Sequence, residues 1–500
     1  MRYKKGTEGS RRSKLLRKFS NPKLRVGIFV LVLAVIGGGI VVFTRAGVGS
    51  FSKEAEQSTL SGSVKQINAI NASDGKYIQF GNSNKECAAS DFENNVVITN
   101  GGSYSGKCWQ TVDGSTPAVK IKTAEPVTIT NSIIKGNFIL IKDDVAKINL
   151  TVTNTKFLGD EPSGQVNSRR AIRLDKQAAF LKVENNYIQN TSGIKITGFT
   201  IPATTQDTIV IKNNRVKNIT NQKITANNPC PDLTGGSSAA GTTALEGATT
   251  AATTTSGTDH LVQFVQLGQI NPIPGVEIAW NEVINEYGNS RVEDNINLYK
   301  TGGKGSAEKE LIRIHDNFIW GAYPMPGDTC YRGGGIIAGD SGRDLNIGYV
   351  HITNNQVIGT TNYGVSIACG KNNQANNNTV LSSGRKPNGD IIPQANVGLS
   401  GISALSWNGR CDEGNYANNV FSNNTAGWMG ANNNTLARRD ISSPCTNPSN
   451  PKYRLCATFN GTKSFTANTQ EAITYQMEVN EKTKWDQKIR DNNKTIGIPG

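Results

Sequence analysis

Between Arg291 and Asp344 the chain gathers side chains suited to chemistry: the adjacent carboxylates Glu293 and Asp294, then Lys300, Arg313 and Arg332, and a glycine triplet leading to Asp340. Carboxylates mixed with a lysine and arginines are raw material for proton transfer or for holding a charged ligand. Rival chemistries find little support. His260, His315 and His351 lie on separate segments without metal-ligand spacing. No phosphate-binding loop or Gly-x-Gly-x-x-Gly between strand and helix occurs, so no nucleotide cofactor is expected.

Aromatic residues recur near turns at Trp280, Trp320, Tyr323, Trp407 and Trp428. Such rings stack on sugars while nearby cations hold uronate or sulfate groups. Trp320, Tyr323, Trp407 and Lys371 are the candidate substrate contacts. Arg169, Arg170 and Arg173 form a second basic cluster, expected on the same long face. Glu277 alternates with Val276 and Ile278, which turns it outward.

The elements that must position these residues are short and repetitive. Only 36% of the residues are hydrophobic and 18% charged, and the balance is rich in Gly, Asn, Ser and Thr, a composition that favours many short strands. A brief alternating apolar run closed by Asn recurs at 127–134, 150–157, 181–188, 209–216, 278–284, 312–319, 350–358, 376–381 and 416–421. The last Asn of each unit falls at 131, 154, 186, 214, 281, 317, 355, 378 and 419, with shortest steps of 23 residues. A short period with no helical spacer indicates a solenoid of stacked parallel strands. Asn tolerates left-handed backbone angles at sharp turns, and stacked amides can hydrogen-bond along the axis. These asparagines therefore read as structural.

Over residues 90–440 the repeated strand-Asn-Asn pattern resembles the right-handed parallel β-helix, or pectin-lyase-like, superfamily. Within it, Glu293-Asp-Asn-Ile-Asn-Leu-Tyr-Lys300-Thr301 followed by Arg313-Ile-His-Asp-Asn317 resembles the signature of the lyases that include chondroitinase B and alginate lyase. Asn295 and Thr301 stand where that signature has Glu and Ser. The resemblance implies Lys300 as the base of a β-elimination, assisted by Arg313 or Arg332, with Glu293, Asp294 and Asp340 as ligands of Ca²⁺. Removing the proton next to a uronate carboxylate needs such a cation to hold the developing charge and a base of lowered pKa.

The flanks place this coil. Of the net charge of +14, nine units sit in residues 1–25, so nucleic-acid binding is not expected. Residues 26–44 are uncharged and long enough to span a bilayer. With the basic flank they read as an uncleaved anchor whose N-terminus is cytoplasmic, with a cleaved signal peptide as the alternative. The expected organisation is a basic tail (1–25), a transmembrane helix (26–44), a stalk and N-terminal cap (45–90), an all-β right-handed parallel β-helix (91–440) with a low-complexity loop at 234–259, and a C-terminal cap and tail (441–500). An amphipathic helix over 470–490 is expected to close the open end of the coil. Eight cysteines without Cys-x-x-Cys pairs, beyond a targeting segment, read as disulfides. The expected function is a membrane-anchored extracellular protein that binds a polysaccharide and, in its catalytic form, cleaves it by β-elimination. A non-catalytic surface scaffold or adhesin is the alternative.

Overall fold

The computed structural model describes residues 64–68, 76–80, 86–161, 169–221, 262–326, 333–340, 347–392, 400–404, 411, 413–432, 435–442, 456–465 and 471–499. The chain divides into two units, Met1–Gln79 and Phe80–Gly500. In the stretch read as a stalk, the strand Val64–Asn68 pairs with Lys76–Phe80. Among the described residues no helix is long and apolar enough to cross a membrane. The expected span, 26–44, lies outside them, as does the stretch 234–259.

From Val96 onward the chain runs three short strands to a turn, and each strand stacks in parallel on its counterpart one turn earlier. One turn comprises Val119–Ile121, Pro126–Thr130 and Ile133–Gly136; the next comprises Ile141–Asp143, Asn149–Thr153 and Lys156–Gly159. Among the described residues three long sheets result, two of eleven strands and one of thirteen. This is the architecture of a parallel β-helix. The first sheet begins at Val96–Ile98, the second at Gly102–Ser105, and Cys108–Gln110 joins the third.

Alternation explains the core. Val127 and Ile129 point inward while Thr128 and Thr130 between and beyond them are partly exposed. Repeated turn by turn, this stacks Val119, Ile141, Ile172, Ile194, Val265, Ile296, Ile336, Val365 and Ile402 into one column of the first sheet. All of them are fully buried, and each such side chain contributes about 1.5–3 kcal/mol.

A single left-handed residue makes the corner between second and third sheets: Asn131, Asn154, Asn185, Asn213, Asn354, Asn377 and Asn423 have φ between 50° and 57°. The residue after the corner carries the ladder. Asn186 Nδ2 donates to Asn214 Oδ1, and the chain continues through Asn281, Asn317, Asn355 and Asn378 to Asn424, with every link 2.9–3.0 Å. The expected axial hydrogen bonding is thus present. The alignment at 131 and 154 is one residue early, because Ser132 and Thr155 occupy the ladder position there. Asn419 belongs to a second stack, where its Oδ1 accepts the N–H of Asn373.

Among the described residues, glycine fills this corner at Gly106 and Gly461, and two further corners of the column are not Asn: Trp280 (φ 54°) and Asp316 (φ 52°). Both face the helix Tyr475–Asp491. That helix does not close the end of the coil as expected; it lies along the outer face of the third sheet. Trp485 stacks on Phe318 with centroids 5.7 Å apart, lies 6.0 Å from Trp280, and donates its indole N–H to Glu282 at 2.8 Å. Lys488 pairs with Asp316 at 2.7 Å. The left-handed conformation of a bulky residue costs roughly 1–2 kcal/mol, and at Trp280 the helix contacts offset it.

Disulfides join Cys87 to Cys108 and Cys369 to Cys411. Cys456 is also disulfide-bonded, and no described cysteine is free.

Candidate functional site

Lys300 closes the first-sheet strand Asp294–Tyr299. Its backbone is left-handed (φ 50°), its N–H donates to the carbonyl of Asp340 at 2.9 Å, and its ammonium lies 5.4 Å from the Tyr299 ring centroid. The acidic residues nearby serve one another and the sheet. Glu293 accepts from Gln263 Nε2 at 2.8 Å. Asp294 accepts the Tyr363 hydroxyl on one oxygen and Asn297 Nδ2 on the other, and Asn297 also donates to Asp340 at 3.2 Å. Gly334 makes this possible: a Cβ there would come within 2.5 Å of both Tyr363 and Asp294.

Burial pushes the Asp294 carboxyl up to about 7, and the neighbouring charge of Asp340 adds to the effect against the hydrogen bonds of Tyr363 and Asn297. Tyr363 is likewise raised by its own burial and by Asp294. A calcium ion needs several ionised oxygens converging from accessible positions. The expected trio offers no such convergence, because both Asp294 oxygens already have donors and burial favours its protonated form. Among the described residues no group of three or more His, Cys, Asp or Glu could hold a metal. Asn295, at the signature's second Glu position, is structural: it accepts from Asn285 Nδ2 and donates to the carbonyls of Gly321 and Gly334.

Arg313 belongs to a different sheet from the strand that Lys300 closes. It projects from the second sheet, where it pairs with Glu308 (3.3 Å) and Glu277 (3.8 Å). Glu277 also accepts from His315 (3.0 Å) and Lys212 (3.2 Å). The His315 hydrogen bond, with those two cations, holds this carboxyl down at about 2 despite burial. Burial works against a charged His315, but Asp316 and Glu277 on its two nitrogens outweigh it and raise its pKa. Glu277 does point outward as expected, into an ion-pair network on the second sheet.

Two of the expected sugar contacts, Trp320 and Tyr323, are engaged elsewhere. Trp320 lies beneath the C-terminal helix, 6.0 Å from Tyr475. Tyr323 is buried and meets Tyr287 edge-on. Lys371 sits in the short strand Gly370–Lys371 beside Tyr416–Ala417, its N–H bound to the Ile347 carbonyl. Arg332 and Trp407 lie outside the described residues. Of the second basic cluster, Arg170 is buried and donates to Ser192 and Gln263, and Arg169 is buried beside it. Arg173 alone of the three turns outward, bonded to Asp175 at 2.6 Å.

Arg173 belongs to a feature the sequence reading missed. On the outer face of the first sheet, Lys120, Lys142, Arg173 and Lys195 are direct partners on four successive turns, followed by Gln266 and Asn297. The local signal is a basic residue between inward apolar neighbours: Val-Lys-Ile at 119–121, Ile-Lys-Asp at 141–143, Ile-Arg-Leu at 172–174 and Ile-Lys-Ile at 194–196. All four are partly exposed.

No protein-family model, curated protein or solved structure matches the chain.

Proposed function

We propose that this chain is a membrane-anchored, extracellular, right-handed parallel β-helix of the pectin-lyase-like kind that binds a polysaccharide along the outer face of its first sheet and holds it without cleaving it. The supporting observation is the condition of the three faces. The C-terminal helix covers the middle of the third sheet. The cations of the second sheet are tied to its own carboxylates, as in Lys212–Glu277–Arg313. The first sheet, from Lys120 to Gln266, presents a straight column of partly exposed polar side chains, one to a turn. A regular chain of sugars laid along the coil meets the same kind of group at each step. Holding is favoured over cleaving because Lys300 and Arg313 belong to different faces and Asp294 is enclosed.

The test is retention of the full chain on a polysaccharide panel, run together with ultraviolet absorbance in the band of unsaturated uronates. Binding with a flat absorbance trace is expected. Failure to retain any polysaccharide overturns the proposal, and an absorbance rise lost in Lys300→Ala overturns its non-catalytic part.

A further inference from the structure

We infer that residues 471–497 are a releasable strap, which when docked binds six turns of the coil into one cooperative unit and when released lets the turns beneath it open separately. The inference stands on contacts with the coil alone and is independent of any ligand.

Taken in chain order, the strap's contacts step back from the last turns toward earlier ones. Ile473 lies over Gly427, where a Cβ would come within 2.7 Å of it. Glu478 accepts the Ser383 N–H at 2.5 Å, and Glu481 accepts from Gln356 Nε2 at 2.9 Å. Trp485 stacks on Phe318 and donates to Glu282. Lys488 bridges Asp316 (2.7 Å) and the Asn354 carbonyl (3.0 Å), and the Gly497 N–H donates to the Asn213 carbonyl at 2.7 Å. These partners belong to six successive turns, whose third-sheet strands are Arg215–Lys217, Glu282–Ile284, Phe318–Ala322, Gln356–Thr360, Thr379–Ser382 and Thr425–Asn432. In a stacked coil each turn contacts only its neighbours, so an end can fray one turn at a time. A segment fastened to six turns removes that freedom, because no turn beneath it opens without breaking a strap contact.

The strap is held less firmly than the coil is. Inside the coil the stacked side chains are Ile, Val and Leu, fully buried. The strap buries Ile473, Trp485 and Ile496, but it also buries Glu478 and Glu481. One Glu478 oxygen has no partner, which weakens docking at the middle of the segment.

Glu478 supplies the trigger. Facing it are Ser383 and Trp320 from the coil and Tyr475 from its own helix, none of them a cation. The other charges of the interface are matched: Glu481 with Lys484, Lys482 with Glu282 and Asp486, and Lys488 with Asp316, which also hydrogen-bonds His315 at 2.8 Å. Burial raises the Glu478 carboxyl to about 7. Its proton is therefore held more tightly docked than released, and the strap loosens as pH climbs toward that value.

The experiment is hydrogen exchange of the full chain, read by peptide mass spectrometry and corrected for intrinsic rates, in wild type, Trp485→Ala, Trp485→Phe and Glu478→Gln. Trp485→Ala should speed exchange of Tyr475–Asp491 on the order of 100-fold. It should also speed the strands Gln356–Thr360 and Thr379–Ser382 beneath, while Pro126–Thr130 and Asn149–Thr153, on turns outside the six, keep wild-type rates. Trp485→Phe keeps a ring on Phe318 and loses only the N–H to Glu282, so it should fall between the two and carries the test if the alanine variant does not fold. Moving from pH 6 to pH 8 should shift wild type toward the alanine pattern and leave Glu478→Gln in place. A faster strap over strands that keep their wild-type rates overturns the coupling. A rise spread evenly over the whole coil, or a strap whose exchange is the same in every variant, overturns the strap itself.

Discussion

The docking of the C-terminal helix should depend on pH through one carboxyl. Glu478 is fully buried between helix and third sheet. One oxygen accepts the N–H of Ser383 at 2.5 Å, the Trp320 indole adds a second donor, and the other oxygen has no partner. Burial outweighs those hydrogen bonds and raises the carboxyl from 4.5 to about 7. A raised carboxyl binds its proton more tightly docked than undocked. Docking is therefore strongest below the undocked value, weakens as pH climbs from there to about 7, and levels off above. The gap is worth ~3 kcal/mol. Glu478→Gln copies the protonated acid, keeping an acceptor toward Ser383 and placing its amide where the unpartnered oxygen lies. Hydrogen exchange of the helix amides reads the opening free energy directly. The variant should be on the order of 100-fold better protected than wild type at about pH 8 and equal to it near pH 4, after correction for intrinsic rates. A variant-to-wild-type ratio that stays constant across this range would refute the reasoning.

Asn317→Ala should destabilise the coil by about 3–5 kcal/mol in denaturant titration, because Asn281 loses the acceptor of both its N–H and its side-chain amide, and the Ile278 carbonyl loses its donor. Cys369→Ala removes a bridge spanning 42 residues, which chain entropy values at about 4 kcal/mol; an unchanged midpoint would contradict that assignment. Adding millimolar Ca²⁺ should leave the melting temperature in place, since the Asp294 oxygens already have donors; a dose-dependent rise would restore the metal reading.

The fold was legible wherever its causes are local. The run 209–216 reads as one unit, and it is one strand, a left-handed Asn corner and a second strand, Ile209–Lys212 and Arg215–Lys217. Alternation and corner Asn both act within a few residues. The first sheet was harder to see, because strands such as Ile172–Leu174 and Ile194–Ile196 are three residues long with a cation in the middle. The candidate site depended on relations that do not lie along the chain. The carboxylates and lysine of 293–300 stand at the two ends of one strand, and Asp294 owes its environment to Tyr363, one strand beyond Gly334. Trp320 sits near a turn as a sugar-stacking ring would, but the helix that covers it begins at Tyr475. Arg313 lies on the second sheet because the intervening turn carries the chain around a corner after Lys300.

The asparagine ladder has an architectural consequence for how such a protein can change size. Every ladder amide donates toward the next turn, so each turn offers its successor the same donor and its predecessor the same acceptor. A duplicated turn that keeps a left-handed corner followed by Asn would extend the row without rearranging its neighbours, and a deleted one would let the remaining ends rejoin. Segments inserted between strands, such as the long stretch between Lys217 and Gln263, leave the pitch untouched because the register on either side is set across turns. The coil behaves as a molecular ruler: its length can be reset in whole divisions, while the spacing of whatever its faces display stays fixed.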